Sequence, residues 1–171
     1  MGMEKENTIQ EVYRELRWIG VVLFSAALIT LGAILRIPFY PVPFTLQTLA
    51  IFLIGFTQPP KQAVCSVICY LMWACIGLPV LGGAANPLWI IGKSGGYLVA
   101  FPIAAYYLAK LKSKPLLGLI IAHGLIWGLG WIWLTCFFGP KIAFLKGIWL
   151  FVPSAALKAL IAYLYARWRR R

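Results

Sequence analysis

Lys158 is the residue of this chain with the most chemistry to offer. It lies five positions after Pro153 and nine before Arg167, inside an apolar stretch. An ammonium in the middle of a membrane segment costs on the order of 2.5–3.5 kcal/mol on insertion scales, so it must face an interior and find a partner. The usual partner is a carboxylate on another helix. None exists here: Glu4, Glu6, Glu11 and Glu15 are the four acids, and all lie in the first fifteen residues. The preferred reading is that Lys158 meets an anionic or hydrogen-bonding ligand. The alternatives are a lysine that snorkels to the surface or one capped by backbone carbonyls. Pro153, read as lying inside the same helix, would kink it and free a carbonyl one turn earlier, which suits a site lined by backbone.

The remaining polar residues narrow the chemistry further. Gln47, in Thr45-Leu46-Gln47-Thr48, offers an amide either to a ligand or to a neighbouring turn or helix. His123 is the sole histidine; without an acid to orient it, a structural hydrogen bond is preferred to catalysis, and one imidazole makes no metal site. Cys65, Cys69, Cys75 and Cys136 complete no metal-ligand spacing and read as small buried residues, a Cys75–Cys136 disulfide being the minor alternative. With no acid after Glu15, paired-carboxylate hydrolysis and carboxylate-ligated metal chemistry are excluded. An intramembrane Ser, Cys or His enzyme is left as a remote alternative.

The elements that must hold these residues follow from composition. Of 171 residues, 62% are hydrophobic and 12% charged, against about 45–50% and about 25% in soluble domains. The mean hydropathy is +0.85. Net charge is +12, but single cations separate long apolar runs, which fits an integral membrane protein and not a nucleic-acid binder. Six segments of spanning character run 18–37, 44–56, 61–76, 95–110, 115–138 and 146–166. They form one all-α, six-helix transmembrane domain over residues 18–171, behind a cytoplasmic leader of residues 1–17. The leader reads as a separate amphipathic helix with a Thr8/Glu11 capping box, lying on the membrane or under the bundle. It is not a signal peptide.

Lys and Arg are unevenly shared between the two sets of links. Eleven of the sixteen fall in the leader, the second and fourth links and the tail, while Arg36, Lys93, Lys141 and Lys146 fall on the other side. The excess places both termini in the cytoplasm. The long third link, residues 77–96, is apolar and glycine-rich, and reads as a lid folded over the bundle or as a loop lying on the lipid. Ala26 and Thr30, with Ala33 a turn on, make a small-residue stripe that packs either internally or against another subunit.

Three blocks then resemble a known family. They are Arg36-Ile37-Pro38-Phe39 with Pro41-Val42-Pro43-Phe44-Thr45-Leu46-Gln47-Thr48-Leu49; Tyr70-Leu71 leading to Gly77-Leu78-Pro79-Val80 and Gly82-Gly83; and Gly95-Gly96-Tyr97-Leu98 followed by Ala104-Ala105. They resemble the BioY family, the biotin-binding S components of energy-coupling factor (ECF) transporters, from the first helix through the fourth. The resemblance implies a six-helix, multi-pass protein of the bacterial cytoplasmic membrane that binds biotin from outside. It implies as partners a transmembrane coupling subunit and two ATPase subunits, which use the ATP. Lys158 matches the family's lysine in the last helix, near the ring system, and Asn86 a loop asparagine that contacts biotin. Tyr97, Gln47 and Ser154 join them as site residues; Trp89 or Trp131 could stack on the rings, a place in the aromatic belt being the preferred reading for both. The Ala26–Thr30 face becomes the contact with the coupling subunit. Ala155 departs from the family, which usually carries an acid there; Asn86, Gln47, Ser154 or backbone carbonyls must then accept hydrogen bonds in its place. That departure keeps an S component for another vitamin or small anion as the alternative.

Overall fold

The computed structural model describes residues 2–83 and 85–170, the side chains of residues 2–5 excepted. The Lys5 side chain, and Arg171 and Ala84 altogether, lie outside the described residues. Six α-helices account for most of the chain: α1 (Gly2–Ile34), α2 (Gln47–Thr57), α3 (Pro60–Cys75), α4 (Gly95–Lys110), α5 (Pro115–Gly147) and α6 (Val152–Trp168). Two stretches, Glu6–Ile34 and Pro115–Trp168, are long and apolar enough to cross a membrane by length and composition. At 1.5 Å per residue, α2 with its eleven residues is only about 16 Å long.

The third and fourth helices fall where the sequence puts them, because proline or glycine and lysine mark their ends. Four expectations change. The leader is not a separate helix: α1 begins at Gly2 and runs unbroken, so Thr8 and Glu11 lie inside it and not at a cap. The leader's apolar residues Ile9, Val12 and Leu16 are exposed and do not pack under the bundle. The fold is mostly helical, with one short hairpin as the second change: Arg36–Ile37 (β1) and Phe44–Thr45 (β2) pair antiparallel, Arg36 opposite Thr45, so the first helix ends and the second begins three residues inside the expected limits. The third change is Pro153, which stands in the first turn of α6, where a missing N–H interrupts no hydrogen bond; it makes no kink.

The break in that region is at Gly139, which adopts φ 72 and ψ 163 one residue past the expected end of the fifth span. The fourth change lies beyond it: the chain stays helical to Gly147, and a short turn, Trp149–Phe151, leads into α6 only at Val152, six residues after the expected start.

α4 is the central helix. It makes the most extensive contact with α5 and packs also on α3 and α2. Ala100, Ala104 and Ala105 are buried on it, and such small residues let backbones approach closely where no hydrophobic effect drives helices together. Gly96 and Gly130 do the same across the α4–α5 seam: a Cβ on Gly96 would overlap the Trp133 side chain, and one on Gly130 the Tyr97 ring. The interior is tied by a polar ring near the α2–α3 turn, where Gln58 Nε2 donates to Ser25 Oγ (2.5 Å) and Ser66 Oγ donates to Gln58 Oε1 (3.0 Å).

Cations collect at two ends. Arg170 Nη1 donates to Ser113 O (2.8 Å), which brings the C-terminal tail to the α4–α5 link. At the opposite end Lys93 Nζ donates to Tyr40 OH (2.9 Å), with Lys146 Nζ 5.9 Å from the same ring. Ala26 has no exposed surface and Ala33 almost none. The Ala26 side of the small-residue stripe therefore packs inside this chain, with Thr30 half-buried and its hydroxyl donating to Ala26 O (3.0 Å).

Candidate functional site

Two cavities meet at the end of the bundle that carries the hairpin and the long loop. The inner one, about 80 Å³, lies between α2, α4, α5 and α6. The outer one, about 330 Å³, lies under the loop and beside the hairpin. Pro43, Thr45, Gln47, Ser94 and Leu98 line both, so the cavities adjoin.

Local structure explains how the hairpin holds this junction. Leu46 N donates to Gly32 O (2.9 Å), and a Cβ on Gly32 would come within 3.0 Å of the Leu46 carbonyl carbon. The start of α2 is thereby pressed onto the end of α1. The Phe44 ring stacks on Phe151 with centroids 4.4 Å apart, joining the hairpin to the start of α6.

Lys158 lies in the wall of the inner cavity, 8% exposed. Its Nζ donates to Thr45 O (3.2 Å), a carbonyl at the end of the hairpin. Backbone capping is thus present, but it uses one of three ammonium donors; the other two remain for a ligand. Gln47 is buried and committed at both ends: Nε2 donates to Tyr70 OH, and Oε1 accepts from Thr45 Oγ1 (2.9 Å). Tyr97 lines the inner cavity with its hydroxyl donating to Gly147 O (3.0 Å).

The other expected residues are distributed differently. Asn86 and Trp89 line the outer cavity and not the one with Lys158. Trp89 is buried there, Nε1 donating to Cys75 Sγ (3.3 Å). Ser154 lines neither cavity; its hydroxyl donates back to Phe151 O (3.1 Å), a local bond at the start of α6. Trp131 lines neither, and donates to Pro140 O (3.2 Å). Ala155 does face the inner cavity, presenting a methyl group.

Sequence reasoning missed several wall residues. Phe101, Ile126 and Trp127 line the inner cavity, but on helices apolar all round no periodicity separates an inward face from a lipid-facing one. Arg36, counted earlier for orientation, lines the outer cavity with Lys93. Gly82, at φ +72, lets the loop cross the Arg36 guanidinium: a Cβ there would sit 2.8 Å from Nη1. The loop is held by Trp133 Nε1 donating to Gly92 O (2.9 Å), which fits a lid more closely than a loop lying on lipid. His123 keeps its expected structural bond, Nδ1 to Leu119 O (3.0 Å), yet also lines the inner cavity. All four cysteines are free thiols, and Cys75 and Cys136 form no disulfide. No group of three or more His, Cys, Asp or Glu able to hold a metal occurs among the described residues.

This arrangement has recognisable relatives. The model of the BioY family matches residues 3–171. The probable biotin transporter BioY of Pyrococcus horikoshii is 32% identical over 154 residues, covering 86% of this chain and 93% of that protein. The biotin transporter BioY of Thermotoga maritima is 31% identical over 150 residues, covering 80% and 88%. The crystal structure of the S-component for biotin from an ECF-type ABC transporter superimposes with a TM-score of 0.78 at 28% identity, covering 93% of this chain and 94% of that one.

Proposed function

The chain belongs to the BioY family, and on that premise we propose that it is the biotin-capturing S component of an ECF-type transporter. Biotin carries a fused ring system with a cyclic urea at one end and an aliphatic acid at the other. The two cavities fit that polarity. The inner one offers apolar and aromatic walls with two unspent Lys158 donors for the urea carbonyl. The outer one offers Arg36 and Lys93 to the carboxylate, with Trp89 and Asn86 beside the tail. The observation that carries the reading is a buried lysine without an acid partner, facing a cavity that adjoins a cationic one.

The rest of the assembly follows from the same reading. The bundle sits in the cytoplasmic membrane as a multi-pass protein with six membrane-embedded helices. Both termini are cytoplasmic, on the cation-rich end, and the cavities open outward beneath residues 77–94 as lid. It is not an enzyme. The energy comes from a transmembrane coupling subunit and two ATPase subunits. Since Ala26 is enclosed by this chain's own helices, the coupling subunit meets a face other than the one centred on Ala26.

Saturable binding of labelled biotin by the purified chain tests the function; no saturable binding overturns it. Arg36→Gln tests the orientation. A charge-assisted hydrogen bond contributes about 1.5–3 kcal/mol, so the variant is expected to weaken biotin roughly tenfold or more. Biotin amide, which carries no charge at that end, should bind wild type and variant equally. An equal loss for both ligands would show that Arg36 supports the hairpin and does not read the carboxylate.

A further inference from the structure

Thr48 carries the one buried side-chain oxygen or nitrogen without a hydrogen-bond partner among the described residues, and it lines the inner cavity. Threonines in apolar helices usually return the hydroxyl to the carbonyl three or four residues back. Here Thr30 donates to Ala26 O (3.0 Å) and Thr57 to Leu53 O (2.8 Å). Thr48 is the second residue of α2, and the position four back is Phe44, in β2, outside the helix. Three back is Thr45, whose carbonyl accepts from Lys158 Nζ, and the Thr48 hydroxyl is left unpartnered in the cavity wall.

His123 stands in the same wall with an equally defined role. Leu119 O can only accept, so Nδ1 carries the hydrogen, and the neutral ring presents Nε2 as an acceptor. Nε2 has no partner among the described residues. The ring is held between Phe52, with centroids 4.8 Å apart, and Trp127, 5.3 Å apart.

A cyclic urea has one carbonyl to accept and two N–H groups to donate. Lys158 answers the carbonyl. No carboxylate exists after Glu15 to answer the N–H groups, and Ala155 contributes only a methyl. The other polar side chains of the wall are less available as acceptors. Gln47 Oε1 already accepts from Thr45 Oγ1, the Tyr97 hydroxyl is packed against Gly147 and donates to its carbonyl, and Ser94 lies where the inner cavity meets the outer. We propose that Thr48 Oγ1 and His123 Nε2 are the acceptors for the urea N–H groups of the ligand, an uncharged replacement for a carboxylate beside Lys158. The proposal rests on the biotin reading above and adds two specificity-determining residues to it.

The test uses the full chain in lipid nanodiscs, measuring labelled-biotin affinity and ligand-free melting temperature together. Thr48→Val keeps the side-chain shape and removes the hydroxyl. It should weaken biotin about tenfold while leaving the ligand-free melting temperature unchanged or raised, since it deletes an unpartnered group. A hydroxyl that served only the fold would lower the melting temperature instead. His123→Leu should lose a similar factor, and His123→Gln, which returns an acceptor near the Nε2 position, should recover most of it. Wild-type biotin binding with Thr48→Val and His123→Gln indistinguishable from wild type, and His123→Leu either unaffected or too unstable to assay, overturns the proposal and leaves the biotin reading intact. Absence of saturable biotin binding in the wild type overturns both.

Discussion

Replacing Lys158 by Met is expected to remove biotin capture while leaving the bundle folded, or even more heat-stable. The two halves of that result have different causes. The ammonium donates one hydrogen bond, to Thr45 O, and supplies its remaining donors to the inner cavity. Losing a charged donor to a desolvated acceptor costs about 1.5–3 kcal/mol, a factor of roughly 10–150 in affinity. The folded protein, by contrast, holds this cation with no carboxylate partner, and burying such a charge opposes folding. Methionine fills similar volume without that cost, so the ligand-free melting temperature should hold or rise. Lys158→Arg should not restore binding, because a planar guanidinium presents its donors in a different geometry and takes space in the inner cavity that the ligand's rings need. Radiolabelled biotin binding and a melting curve on the same preparations check the prediction. A large drop in melting temperature for Lys158→Met would instead mean that the Thr45 cap is what Lys158 is for.

Gly130→Val is expected to be the most damaging single substitution on the α4–α5 seam. A Cβ at residue 130 would overlap the Tyr97 ring, and one at Gly147 would overlap the Tyr97 hydroxyl. Tyr97 is thus enclosed by two glycines of α5 and bonded to one of them. A valine must push the ring from its place or force α4 and α5 apart. Overpacking of this kind costs typically 1–3 kcal/mol and sometimes more; with two branches meeting a ring held on both sides, about 3 kcal/mol is expected. Because Tyr97 lines the inner cavity, biotin affinity should fall with stability. Gly128→Ala is the control, as nothing lies within 4 Å of a Cβ there; its melting temperature and affinity should match wild type. A Gly130→Val protein with normal melting temperature and binding would mean that the seam is looser than these contacts require.

Much of the architecture was legible because it depends on short-range signals. Pro60 and Pro115 start helices, and Gly95 and Lys110 bound α4, so those elements could be placed to within a residue or two. The boundaries that failed share one cause. Between Gly139 and Pro153 the connecting chain is as apolar as the helices, so hydropathy does not show that helix continues to Gly147 or that α6 starts only at Val152, with Pro153 in its first turn. The leader failed for a related reason: a polar face that shifts to apolar looks like two helices, although nothing in the sequence interrupts the backbone between Gly2 and Ile34.

The site was legible in its charge and not in its geometry. By itself the sequence determined that this is a membrane chain, that its cations divide between two ends, and that Lys158 has no acid to pair with. Those are properties of composition and order, and no fold was needed to read them. The tertiary structure alone decided that Lys158 is capped by Thr45, 113 residues away, that Ser154 turns from the cavity while Ala155 faces it, and that Ala26 packs inside. It also decided that Thr48 and His123 stand in the same cavity wall as Lys158. In helices apolar on every face, facing is set by which neighbours pack, and hydrogen-bond partners far apart in the chain are chosen only when packing is complete.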